Sequence, residues 1–146
     1  LIRRLFPLAT VLTPNLPEAE AICGHRVQTL EDMAQCAKEI CALGAKNVLI
    51  KGGHLQNDAT DLLYDGQQFY SFPAKRIETK NTHGTGCTLS SAIASYLAMG
   101  MSVDAAVKEA KSYITDAITH SFSIGHGVGP TNHFYRLYKK AEMPYE

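Results

Sequence analysis

The sequence predicts an α/β protein with parallel central strands and helices packed against them. Three observations carry that expectation. Ala9–Thr13 and Asn47–Lys51 are short, largely apolar runs that read as buried strands. Longer segments repeat apolar residues three and four positions apart and read as amphipathic helices. The order strand, helix, strand, hairpin, helical block suits half of an open α/β sheet, whose ligands bind beyond the carboxyl ends of the strands.

The chain opens at Leu1 without Met, and Leu1–Leu8 reads as the tail of a helix. A fragment, or a chain whose preceding portion is not included, is therefore expected. Pro14 ends the first strand. Asn15-Leu16-Pro17 starts a helix with Pro early and Glu18 and Glu20 in the first turn, both favoured at the positive end of the dipole. Gly24 closes it. Thr29 with Asp32 resembles a capping box, with Asp in place of Glu or Gln. The helix that follows turns Leu30, Met33, Ala34, Ala37, Ile40 and Cys41 to one face and stops at Gly44. The second strand breaks at Gly52-Gly53. Asp61–Phe72 reads as a hairpin turning at Asp65-Gly66, and Pro73 ends it.

After a short lead-in, Leu89, Ala92, Ile93, Tyr96 and Leu97 form the buried face of a helix that Gly100 stops. Ser102 is placed to cap the next helix. Its stripe is Val103, Ala106, Val107, Ala110, Tyr113, Ile114, Ala117 and Ile118. A glycine-rich loop, Ile124–Pro130, leads to a last short helix from about Thr131 to Ala141.

The 146 residues fit one domain with a real core. An apolar fraction of 45% against 19% charged is that of a soluble globular chain. Zero formal net charge and no basic block argue against nucleic-acid or membrane partners. No apolar run reaches membrane-spanning length, and no signal peptide is recognisable, so a cytoplasmic setting is expected. Cys23, Cys36, Cys41 and Cys87 show no CxxC pair or disulfide-framework spacing. Reduced thiols are expected, with Cys23, Cys36 and Cys41 packed as small apolar groups.

The most informative stretch is Asn81–Thr88, which feeds the Leu89–Met99 helix. A glycine turn at a helix N-terminus points backbone N–H groups at the positive end of the dipole, a site suited to phosphate. Cys87 falls in the first turn, where the same field favours thiolate. No Gly-Lys-Ser/Thr follows, so this is not a Walker A loop. Read alone, Gly84–Cys87 is equally a plain glycine turn, and Cys87 a packed thiol. Glu18 alone is equally a helix-dipole glutamate, Asn15 a cap, and Lys51 a solvated strand end.

At these residues the chain resembles a known family. Asn81–Ser91 is similar to the C-terminal signature of the hydroxymethylpyrimidine and phosphomethylpyrimidine kinases of thiamine synthesis, within the ribokinase-like superfamily. Thr13–Glu20 resembles the family's TPNxxEAE segment, and Lys51–His54 its KGGH segment. Gly125–Gly127 and Gly129–Phe134 resemble its terminal GHG and GPxNHF segments. The resemblance implies the C-terminal portion of a three-layer α/β/α fold on a mostly parallel sheet. It implies ATP as phosphoryl donor and Mg²⁺ as cation. Gly84, Thr85, Gly86 and Cys87 would form the anion hole. Cys87 would be the base that takes the proton of a primary hydroxyl, where most ribokinase-like enzymes carry an aspartate. Lys51 would meet the ATP phosphates together with Gly84 and Gly86. Glu18 of the Asn15-Leu16-Pro17-Glu18 motif, with Asn15, would help place Mg²⁺.

His54, His83, His126 and His133 match no metal-ligand spacing and read as loop polar groups. The hairpin aromatics Tyr64, Phe69, Tyr70 and Phe72 read as core or as an oligomer contact, and a homodimer is a possible assembly. Because the resemblance covers the family's C-terminal half, the pyrimidine-choosing residues are expected to lie outside this chain, and the chain alone to be inactive. Phosphorylation of the hydroxymethylpyrimidine and its monophosphate is the leading reading. A pyridoxal-type kinase of the same superfamily and a non-catalytic nucleotide-binding domain are the alternatives.

Overall fold

A computed structural model describes residues 2–53, 60–74, 77 and 79–143. The chain divides into two compact units, Leu1–Arg76 and Ile77–Glu146.

The first unit opens with helix α1 (Ile2–Leu5) and a 3-10 turn, Phe6–Leu8, that buries Phe6. Helix α2 (Leu16–Cys23) starts at a reciprocal cap: Glu18 N–H donates to Asn15 Oδ1, and Asn15 N–H donates to Glu18 Oε2, each at 2.8 Å. Gly24 ends it in the left-handed region, φ 79°. Helix α3 (Leu30–Ala42) starts at the expected Thr29–Asp32 box, here also reciprocal. Its inner face is Met33, Cys36, Ala37 and Ile40, whereas Leu30 stays 43% exposed. Leu30 lies within the capping turn and so cannot turn fully to the core.

Strands β1 (Val48–Ile50), β2 (Asp61–Tyr64) and β3 (Phe69–Phe72) form a three-stranded sheet in the order β1-β2-β3. Both pairings are antiparallel, with Leu49 opposite Leu63 and Leu63 opposite Tyr70. This corrects the expectation of parallel central strands within the described sheet. The hairpin returns directly beside β1, and a direct return forces the antiparallel sense. The Ala9–Thr13 run is not a strand. It follows β1 in the parallel sense through isolated bridges, Leu12 to Val48 and Asn15 to Lys51. The bonds are Leu49 N–H to Leu12 O (2.8 Å) and Lys51 N–H to Pro14 O (2.9 Å). Pro14 has no N–H to extend the ladder.

The core of this unit joins Leu16 and Ala19 of α2, the inner face of α3, and Val48, Ile50 and Leu62 of the sheet. Cys23 and Cys36 pack in this core as expected, but they are joined by a disulfide, which corrects the expectation of reduced thiols at these positions. The left-handed turn at Gly24 folds the end of α2 against α3. The two Cα atoms then lie 5.9 Å apart, within disulfide reach. Among the described residues Cys41 and Cys87 are free, Cys41 half-buried and Cys87 exposed.

The second unit is helical. Helix α4 (Thr85–Ala98) packs on α5 (Val103–Thr119), burying Leu89 and Ile93 against a stripe that includes Ala106, Val107, Ala110, Ile114 and Ala117. Ala92, Tyr96 and Leu97 are only half-buried, so the inner face of α4 is narrower than its spacing suggests. Ser102 occupies the N-cap position of α5, but its side chain makes no capping bond. Helix α6 (Tyr135–Lys140) starts four residues later than expected, after Thr131 and Asn132 are buried in the preceding loop. Arg136 Nε donates to Asp116 across to α5 at 2.7 Å. No helix among the described residues is long and apolar enough to cross a membrane.

Candidate functional site

The glycine turn ahead of α4 is built by backbone conformation. Gly84 sits at φ 80°, the left-handed region that favours glycine, although a Cβ there would meet no neighbour. The turn is held by Thr85 Oγ1, which donates to Thr82 O at 2.7 Å. The helical ladder begins with Thr88 N–H onto Gly84 O at 2.9 Å. Gly86 and Cys87 therefore stand ahead of the ladder, where N–H groups have no intrahelical acceptor. No acidic side chain lies in the first turn of α4, so its positive pole is uncompensated from within the helix.

Cys87 is exposed on this first turn and borders a cavity of about 500 Å³. Thr88, Ser91 and Ser95 carry the wall along α4, and Tyr113 and His133 close it from the other side. Tyr113 donates its hydroxyl to the His133 carbonyl at 3.0 Å, which fixes that wall. The thiol and the first turn of α4 at Cys87 and Thr88 thus open on this hollow.

A second feature escaped the sequence reading. Asn81 is buried and joins the turn to the loop Gly125–Pro130. Gly129 N–H donates to Asn81 Oδ1 at 3.1 Å, and Asn81 Nδ2 donates to Ser123 Oγ at 3.3 Å. His83 N–H donates to Gly129 O at 3.2 Å. A Cβ on Gly129 would collide with Asn81 Oδ1, so glycine is required there for close approach. The only sequence signal was an amide residue just ahead of a glycine turn. His83 and His126 are exposed.

In the first unit Asn15, Glu18 and Lys51 come together. The Asn15–Lys51 bridge holds the end of β1 beside the start of α2. Lys51 is half-buried, and Glu18 is exposed. Asn15 spends its side-chain oxygen on the cap, whereas Glu18 uses one carboxylate oxygen, Oε2, and keeps Oε1. Beyond β1, Gly52 N–H donates to the buried Asp61 at 2.9 Å, which anchors the exit of the strand. His54 lies outside the described residues.

Residues 1–132 match the family model for phosphomethylpyrimidine kinase. The chain is 52% identical over 131 residues to the thiamine biosynthesis bifunctional protein ThiED of Geobacter sulfurreducens, covering 89% of this chain and 27% of that protein. It is 49% identical over 134 residues to the hydroxymethylpyrimidine/phosphomethylpyrimidine kinase of Streptomyces coelicolor, covering 92% of this chain and 50% of that one. Among solved structures, the pyridoxal kinase of Bacillus subtilis in complex with ADP superposes with TM-score 0.87 at 45% identity, over 93% of this chain and 52% of that one. The phosphomethylpyrimidine kinase of Clostridium difficile does so with TM-score 0.68 at 45% identity, over 80% and 46%. The chain thus spans about half the length of the single-activity kinases it matches.

Proposed function

The chain belongs to the phosphomethylpyrimidine kinase family, and on that premise we propose that it is the ATP-side portion of a ribokinase-like kinase domain. Its reaction is transfer of a phosphoryl group to the hydroxymethyl group of the thiamine pyrimidine, and then to the resulting monophosphate. One observation carries the reading: Cys87, an exposed thiol in the open first turn of α4 just after the Gly84 turn, borders a hollow large enough for a small ligand.

ATP supplies the phosphoryl group, and Mg²⁺ neutralises phosphate charge when bound. Phosphoryl transfer through a loose transition state needs mainly positioning and charge stabilisation. The Gly84–Cys87 turn supplies the anion hole, chiefly through the N–H groups of Gly86 and Cys87, since that of Thr85 donates to Thr82 O. Cys87 Sγ accepts the proton of the attacking hydroxyl as the new P–O bond forms. Lys51 meets the donor phosphates as a point charge. Glu18 Oε1 would hold a hydrated Mg²⁺, and Asn15 would orient that carboxylate through the cap. A cytoplasmic setting and a homodimer belong to the same reading, the latter supported by Phe69, 38% exposed on an edge strand.

Pyridoxal is the second reading of the acceptor, favoured by the solved pyridoxal kinases that superpose at TM-scores near that of the Bacillus subtilis enzyme. ATP-dependent phosphorylation of hydroxymethylpyrimidine against pyridoxal, by the protein that carries this chain, separates the two. Cys87→Ala is expected to lose turnover by about 100-fold or more while still binding ATP. Unchanged turnover removes Cys87 from the mechanism. Failure to bind ATP in the parent protein removes the kinase reading altogether.

A further inference from the structure

Away from the α4 turn, donors of three kinds converge where α2 ends against α3. One ligand atom from each of Cys23, His25 and Glu39 lies within 4.8 Å of the others. The fold explains the convergence. Gly24, left-handed, reverses the chain between Cys23 and His25, and the i, i+3 spacing of Cys36 and Glu39 sets them on one face of α3. We propose that reduction of the Cys23–Cys36 disulfide opens a site for a borderline divalent cation of the zinc type, held by Cys23, His25 and Glu39.

The imidazole is already oriented as a ligand. Its Nδ1 lies 3.1 Å from the Arg26 carbonyl oxygen, which only accepts, so Nδ1 carries a hydrogen. That second-shell bond is the one that fixes metal-bound histidines. Nε2 then faces a Glu39 carboxylate oxygen at 3.0 Å. Two acceptor lone pairs at that distance need a cation between them, either a proton or a metal. Ligands of a tetrahedral zinc, bound at about 2.0–2.3 Å, stand roughly 3.4–3.6 Å apart. The donors, within 4.8 Å of one another, need only draw closer to reach that spacing, and His25 and Glu39 are exposed enough to rotate. A water fills the fourth position, since Cys36 is fully buried in the core.

In the oxidised chain the sulfur of Cys23 is bonded to sulfur and is a poor ligand. A dithiol reductant delivers two electrons and two protons, giving two thiols and closing to its own disulfide. On binding, the Cys23 thiol releases its proton to solvent and coordinates as thiolate. The site is independent of the kinase reading and shares no residue with the α4 turn, Glu18 or Lys51.

The test uses the purified 146-residue chain and Co²⁺, whose thiolate charge-transfer and tetrahedral bands report ligand identity. After phosphine reduction, titration is expected to give those bands at one equivalent, and Zn²⁺ to displace them. The oxidised chain is expected to give none. His25→Ala and Glu39→Gln, both surface changes, should each weaken binding about 10- to 100-fold. Cys41→Ser with Cys87→Ser, which removes the other thiols, should leave it unchanged. Absence of thiolate bands in the reduced chain overturns the proposal. So does their survival in Cys23→Ser, or their loss with Cys41 and Cys87.

Discussion

Gly84 holds φ 80° with open space where a Cβ would go, so its substitution carries a backbone cost alone. Gly84→Ala is expected to cost about 1–2 kcal/mol in urea unfolding, the penalty of a left-handed L-residue. Asn81→Ala works differently. It strands the buried N–H of Gly129, for about 1–3 kcal/mol in the same measurement. The acid side of the stability profile belongs to Asp65 and Asp32. Backbone N–H donors from Gln68 and Gln67 hold the Asp65 carboxyl below its usual value, and those of Gln28 and Thr29 do the same for Asp32. Both folded values are depressed. The stabilisation is therefore complete above the unfolded carboxyl range near pH 4 and is lost as pH falls through the lower folded values. Asp65→Asn is expected to flatten the fall in melting temperature below about pH 4. The place of Cys87 in the first turn of α4 was legible because its motif is local. Asn81 was not, because its partner Gly129 lies 48 residues away and nothing in either neighbourhood encodes the pairing.

At the scale of elements, α3 shows what periodicity can and cannot specify. Its start, its stop and three of its four buried residues follow from spacing and the Thr29–Asp32 box. The fourth, Cys36, lies three residues after Met33 and four before Ile40 and was expected to pack there as a small apolar group; its bond to Cys23 is what spacing does not show. Ile40→Ala is expected to cost about 2–5 kcal/mol by chemical denaturation, since Ile40 is fully buried. Thr29→Ala, which removes the N-cap, should cost about 1 kcal/mol. The second strand and the hairpin were found, the Ala9–Thr13 strand was not, and the antiparallel sense of β1 against β2 was not foreseen. An apolar run such as Val48–Ile50 announces burial on both faces and leaves the sense of its neighbours open. The readable Asp65–Gly66 turn sets the sense of β2 against β3 and leaves that of β1 against β2 open.

Across the whole molecule, the cross-link lies inside the first compact unit, closing a separation of 13 residues. Removing it should destabilise that unit by up to about 3 kcal/mol through the added freedom of its unfolded chain. Hydrogen exchange with and without a phosphine reductant checks this. Amides of α2 and α3 should lose protection, while those of α4 and α5 keep theirs. The cap of α2 carries a different consequence. Glu18 serves its helix through Oε2 and is also the carboxylate assigned to the cation, so an alanine there conflates two losses. Glutamine keeps an acceptor for the Asn15 amide and discards only the charge. Glu18→Gln is thus a separation-of-function allele, and the difference between its phenotype and that of Glu18→Ala measures architecture apart from chemistry.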